Sequence, residues 1–212
     1  MADTDIAVKQ VVVGPIQTNC YIVYKKGASS CVVIDPGYDG ERIAGFIKEQ
    51  GMSLDAVLLT HGHFDHFEGV PALTAELPAK VYILDLEQDL IRDPKKNGSA
   101  GLMRREKAIE VENVCHDGEV LKLAGIEFKV IHTPGHTAGG CCYYIEEKGL
   151  LFAGDTIFME SIGRTDLPTG DMSEILRSIR EKILTLPDYV KILPGHGPVT
   201  DVAYASAYNP YA

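Results

Sequence analysis

Thr60-His61-Gly62-His63-Phe64-Asp65-His66 places four side chains able to bind a metal within six residues. With only 7 histidines in 212 residues, an HxHxDH match arises by chance in about one such chain in two thousand. The apolar run 56–59 leads straight into it. Three further segments repeat the arrangement. Pro134-Gly135-His136-Thr137 follows the run 127–131. Gly154-Asp155-Thr156 follows 150–153. Pro194-Gly195-His196-Gly197 follows 190–193. Strands deliver their ends to a shared rim, where short loops carry functional groups. Four strand ends with ligand-type residues therefore predict one convergent site.

Further short runs at 9–13, 20–24, 31–34, 80–84 and 142–145 are rich in Val, Ile, Leu, Tyr or Phe and bounded by turn residues, which predicts strands. Helical spacing occurs at 40–50, where Ile43, Phe46 and Ile47 share a face. It recurs at 69–77 and at 172–184, where Ile175, Leu176, Ile179 and Ile183 form the stripe. Asp171 or Ser173 can cap the last of these helices. The polar stretch 85–110 reads as helix–loop–helix over the site. A hairpin-like group of strands followed by alternating strands and helices predicts a mixed, layered α/β fold. No composition break divides the chain, so one domain over 1–212 is expected.

Hydrophobic residues make up 45% of the chain and charged residues 24%, which suffices for a sizeable core. No run approaches the roughly 18 apolar residues of a membrane helix, and Met-Ala-Asp-Thr-Asp lacks the features of a secretory signal. Twenty basic residues against 30 acidic ones give a net charge of -10. Nucleic acid and membrane are therefore poor expectations as partners, and a small molecule is the better one. Oligomeric state is not legible. Cysteines 20, 31, 115, 141 and 142 are odd in number and form no CxxC. Free structural thiols and a cytoplasmic location are expected.

Five histidines (61, 63, 66, 136, 196) and two aspartates (65, 155) make seven candidate ligands. That is too many for one catalytic tetrahedral ion and fits two ions with open positions. Two ions roughly 3.5–4 Å apart can hold one hydroxide at neutral pH and polarise a carbonyl. Hydrolysis without a protein nucleophile is the chemistry this predicts.

THGHFDH, TPGHT, AGDT and LPGHG, in this order and spacing, resemble the metallo-β-lactamase superfamily. The segment Phe158-Met159-Glu160-Ser161-Ile162-Gly163-Arg164-Thr165-Asp166 and the closing Asn209-Pro210-Tyr211 bring the likeness nearer to short proteins of the glyoxalase II (hydroxyacylglutathione hydrolase) type. The resemblance implies a four-layer αββα sandwich of two mixed sheets flanked by helices. It implies one metal at His61, His63 and His136, a second at Asp65, His66 and His196, and Asp155 bridging them. Zinc is the expected metal, with iron and manganese as alternatives. The implied reaction is hydrolysis of a thioester such as S-lactoylglutathione by a metal-bridging hydroxide. Persulfide dioxygenases also resemble this chain, sharing Gly163–Asp166 as Gly-Arg-Thr-Asp. They would use one iron at His61, His136 and Asp155. Hydrolysis of another ester or a lactone is the remaining alternative. Larger glyoxalase II enzymes carry a helical C-terminal domain that supplies glutathione contacts. That domain is not expected here, and Asp166 stands where they carry a tyrosine.

Some assignments stay open. Asp65 is a ligand or a group that also takes a proton, with the ligand role preferred. Asp35 either orients a ligand histidine or is a turn carboxylate after a strand. Arg164 either binds a substrate carboxylate as a fork or pairs at the surface with Asp166. Thr60, Thr137 and Thr156 serve the site or local turns. His116 is expected to be exposed and His132 in the core. Tyr143 and Tyr144 alternate on a strand, so one is expected buried and one exposed.

Overall fold

The alternation of the strands is resolved by what covers each face of two sheets. A computed structural model describes residues 5–102 and 105–212. The first sheet comprises β1 (Ile6–Val13), β2 (Thr18–Lys25), β3 (Ser30–Ile34), β4 (Ser53–Leu58), β5 (Lys80–Leu84) and β6 (Asn113–Cys115), in that order. β1 to β3 pair antiparallel and β3 to β6 parallel. The second sheet comprises β7 (Val120–Leu123), β8 (Ile126–His132), β9 (Cys141–Ile145), β10 (Leu150–Gly154), β11 (Lys191–Pro194) and β12 (Thr200–Asp201), again in chain order. Its pairs are antiparallel except β10 with β11.

The helices are α1 (Gly40–Glu49), α2 (Phe64–Phe67), α3 (Val70–Glu76), α4 (Gln88–Ile91), α5 (Ser99–Leu102), α6 (Met172–Ser178) and α7 (Val202–Tyr208). Three buried clusters define four layers. Cys20, Ile22, Val33 and Val57 face α1 and α3 through Ile43, Ile47 and Leu73. Tyr21, Val23, Ile34 and Leu58 of the first sheet meet Phe128, Val130, Tyr143 and Phe152 of the second. Cys142, Tyr144, Leu151 and Ile192 pack on Ile175, Ile179, Ile183 and Val202. The result is a sandwich of two mixed sheets with helices outside each. All five cysteines are buried and free.

Several expectations are corrected. Tyr143 and Tyr144 do point to opposite faces of β9, but both are buried, because α6 and α7 cover the outer face as fully as the first sheet covers the inner one. The helix over 172–184 is regular only to Ser178. It continues as wider turns over Ile179–Ile183, where Leu184 N–H reaches the Ile179 carbonyl. Asp171 is its cap, accepting from Ser173 and Glu174 N–H. The strands β6, β7 and β12 are additions. Within 85–110, short turns and helices occupy 85–91 and 99–102. No helix among the described residues is long and apolar enough to cross a membrane.

The sheets are tied together at the rim where β4, β8, β10 and β11 end. Cys141 N–H donates to the Thr60 carbonyl at 2.9 Å, and Asn19 N–H to the Gly195 carbonyl at 2.7 Å. The Tyr143 and Tyr21 hydroxyls donate to the carbonyls of Leu59 and Pro194 at 2.9 and 2.7 Å.

Candidate metal centre

The four strand ends bring all seven candidate ligands into one cluster. His61 and His63 lie in the loop after β4, and Asp65 and His66 on α2. His136, Asp155 and His196 follow β8, β10 and β11. Three groups have ligand atoms within 4.8 Å of one another: His61, His63 and His136; His61, His66 and Asp155; Asp65, His66 and His196. Asp155 stands between them. Its Oδ1 lies 3.4 Å from His66 Nε2, and its Oδ2 lies 3.5 Å from His136 Nε2 and 3.6 Å from His196 Nε2.

Hydrogen bonds from behind decide which ring atoms face the cluster. Asp35 follows β3 in the left-handed region at φ 50°, a conformation that Asp tolerates better than most residues. There its Oδ1 accepts from Thr60 N–H at 2.8 Å, and its Oδ2 accepts from the Thr60 hydroxyl at 2.6 Å. His66 Nδ1 donates to the same Oδ2 at 2.9 Å. Having given its only proton to Asp35, the Thr60 hydroxyl accepts from His61 Nδ1 at 3.1 Å. His136 Nδ1 donates to the Arg164 carbonyl at 2.7 Å. Nε2 of His61, His66 and His136 is thus the ring atom turned toward the cluster. His63 Nδ1 lies 2.9 Å from His136 Nε2, close enough to share a proton or a cation.

The donor set fits metal ions. Nε2 of His61, His63 and His66 and Oδ1 of Asp155 are buried with no hydrogen-bond partner among the described residues. Buried atoms of this kind each cost free energy if left unpaired, and bound cations would satisfy them. Gly195 leaves the space for this, since a Cβ there would run into Asp155 Oδ1 and His66 Cε1.

The charge distribution is uneven. Burial, with His66 and His136 nearby, holds His61 well below the usual histidine range. Burial and His136 hold His63 down to about 3. Burial also opposes a charge on His66, but Asp65, Asp155 and Asp35 outweigh it and push His66 well above 6.5. His196 is raised in the same way, against burial, by Asp65 and Asp155. Asp155 and Asp65 are lowered despite burial, chiefly by His66.

The cluster floors a cavity of about 340 Å³. Its wall is largely apolar, from Ile16, Phe64, Phe158, Ile162 and Leu167, with Asn97 and Arg164 as polar members. The Arg164 fork bonds both oxygens of Asp166 at 2.7 Å, and both side chains are exposed. Other residues singled out in the sequence lie outside the cluster. Thr156 bonds Thr133 at 2.8 Å, and Thr137 is buried. His116 is exposed and 3.2 Å from Asp85. His132 is only half-buried, a correction to its core placement. Its Nε2 donates to the Ala138 carbonyl at 2.8 Å in the 134–138 loop.

Three contributors were not legible from the sequence. Thr18 donates to Asp65 Oδ2 at 3.1 Å. The Arg164 carbonyl, rather than its side chain, holds His136. Glu87 is wholly buried and accepts N–H bonds from Gly62 and Gly139, at 2.7 Å each. Burial pushes its carboxyl up, and these amides oppose the shift.

The fold and the His/Asp cluster agree with comparison to known proteins. The family model of the metallo-beta-lactamase superfamily matches residues 13–196, and the chain belongs to that superfamily. A probable metallo-hydrolase of Bacillus subtilis, YqgX, is 37% identical, with 96% of each chain covered. The hydroxyacylglutathione hydrolase GloC of Haemophilus influenzae is 33% identical over 92% of each chain. Among solved structures, the BLEG-1 B3 metallo-beta-lactamase superposes with a TM-score of 0.92 at 38% identity, covering 97% of this chain and 99% of that one. TTHA1623 in a di-iron-bound form gives 0.83 at 33% identity, covering 97% and 100%.

Proposed function

We propose that this protein is a dinuclear metal hydrolase whose substrate is a thioester such as S-lactoylglutathione. The observation that carries the hydrolase reading is Asp155, whose two oxygens face different histidines between two three-ligand groups. His61, His63 and His136 would hold one divalent ion, and Asp65, His66 and His196 the other. Zinc, iron and manganese all suit these ligands, and the di-iron form of TTHA1623 keeps iron in view. Two ions there would supply a hydroxide nucleophile at neutral pH and polarise the scissile carbonyl.

The chain's own residues do the rest. Asp35 orients His66 directly and His61 through Thr60. The Arg164 carbonyl orients His136. Asp65, steadied by Thr18, serves as a ligand and lines the cavity. Phe64, Phe158, Ile162 and Leu167 exclude water around the acyl group. Arg164 can meet a substrate carboxylate only in competition with Asp166. The thioester is favoured by the likeness to GloC. The net charge of -10 and the buried free thiols fit a small-molecule substrate in the cytoplasm rather than a nucleic acid or membrane partner.

The likeness to BLEG-1 favours a second reading, opening of a β-lactam ring at the same centre. Metal-loaded protein assayed side by side on S-D-lactoylglutathione, an activated ester and a chromogenic β-lactam separates the two. Turnover of lactoylglutathione well above the other two supports the thioesterase. Turnover confined to the β-lactam replaces it with the second reading.

A further inference from the structure

One buried carboxylate, Glu87, lies between the two loops that supply the first group of histidines. It sits on the 3-10 turn Asp85–Glu87 after β5. Its Oε2 accepts from Gly62 N–H and its Oε1 from Gly139 N–H, both at 2.7 Å. Gly62 stands between His61 and His63, and Gly139 lies three residues beyond His136. One loop leaves the first sheet and the other leaves the second.

The packing is as close as the hydrogen bonding. A Cβ on Gly139 would come within 2.8 Å of Glu87 Cγ and of the Glu87 and Leu86 backbone. A Cβ on Gly62 would come within 2.9 Å of Leu90 Cδ2. The segment 86–91 is therefore wedged against both loops with no side chain between. A buried carboxylate costs desolvation that an apolar residue of similar size would avoid. What it provides is two directed acceptors, which fix orientation as well as separation.

Resting on the reading that these groups hold ions, we propose that Glu87 is a positioning residue for the His61/His63/His136 group. It sets the spacing of the two loops and thereby the affinity of that group for its ion. Asp65 and His66 hang from α2, which begins two residues beyond Gly62, and His196 from the loop after β11, which Glu87 does not touch, so the other group depends on Glu87 less.

The test compares wild type, Glu87→Gln and Glu87→Ala after chelator stripping. Cobalt is titrated into each against a competing chromophoric chelator. The visible spectrum reports which group fills, and thermal unfolding of the ion-free proteins is followed in parallel. Gln keeps the volume and one acceptor but turns a donor toward the other amide. The expected result is two ions in wild type. In Glu87→Ala, the three-histidine position should weaken by about 10–100-fold and the Asp65/His66/His196 position by clearly less. Glu87→Gln should show a smaller loss at the same position. Unchanged binding of both ions, or equal weakening at both positions, overturns the proposal. So does failure of both variants to fold where ion-free wild type is folded, since Glu87 would then serve the fold and not the site. A wild type that takes fewer than two ions overturns the dinuclear reading itself. Unchanged variants beside a two-ion wild type overturn only the role of Glu87.

Discussion

The floor and the wall of the cavity are built on different terms. On the floor, the ligand-type side chains sit on the loops that leave four strand ends, or, for Asp65 and His66, on the short helix that follows one of them. His61 and His66 are held from behind by Thr60 and Asp35, and His136 by the Arg164 carbonyl. These histidines are buried and turn Nε2 inward. On the wall, apolar side chains from loops surround one exposed ion pair, Arg164 with Asp166. Buried, fully determined groups tolerate little change, whereas exposed pairs contribute modestly and are easily rearranged. The contrast teaches that chemistry resides in the floor and substrate choice in the wall.

The largest effect should come from the floor's centre. Asp155→Ala removes the one carboxylate shared by both groups. Turnover should fall more than about a thousandfold, and metal content by elemental analysis should drop with it. Full metal content with normal turnover would break the assignment. Asp35→Asn leaves the ligands in place but turns an NH2 either against Thr60 N–H or against the Thr60 hydroxyl and His66 Nδ1. It should weaken metal binding by about 10–100-fold in a chelator competition.

A pH effect comes next. In the ion-free centre His66 and His196 are raised above 6.5, against burial, by Asp65 and Asp155. Protonated imidazole cannot bind a cation, so ions and protons compete there. Metal affinity should rise as pH is raised past 6.5, and binding at neutral pH should release protons. Calorimetry in two buffers of different ionisation enthalpy measures that release, and a buffer-independent heat would count against it.

The smallest effects belong to the wall. Arg164→Ala should raise KM for a carboxylate-bearing thioester about two- to fivefold with kcat nearly unchanged. Asp166→Ala frees the guanidinium and should lower KM by a similar factor. Steady-state kinetics on both variants sharpens the division. A collapse of kcat in either would blur it.

The same division governs what could be read from the sequence. β5 occupies 80–84 as its apolar run indicates, and the stripe over 172–184 marks a real face. The seven clustered groups were legible because each follows an apolar run closely, so that strand order alone brings them together. β6, β7 and β12 span only two to four residues, too few for a period to show. One of Tyr143 and Tyr144 was expected to be exposed, and neither is, because alternation tells which face a residue takes, not what covers that face. Glu87 was hidden for a related reason. A carboxylate in a polar stretch looks like solvated charge until two loops from distant parts of the chain close over it. Asp201 caps α7 by accepting from Tyr204 N–H, a signal the sequence carried beside too short an apolar pattern.

The central claim, that two ions in this cluster carry hydrolysis, is tested most directly by titrating metal back into fully chelated protein. Bound ions and S-D-lactoylglutathione turnover are followed together. The stripped protein should show no turnover, and turnover should be maximal at two ions per chain. Undiminished turnover in protein shown to be metal-free would contradict the claim.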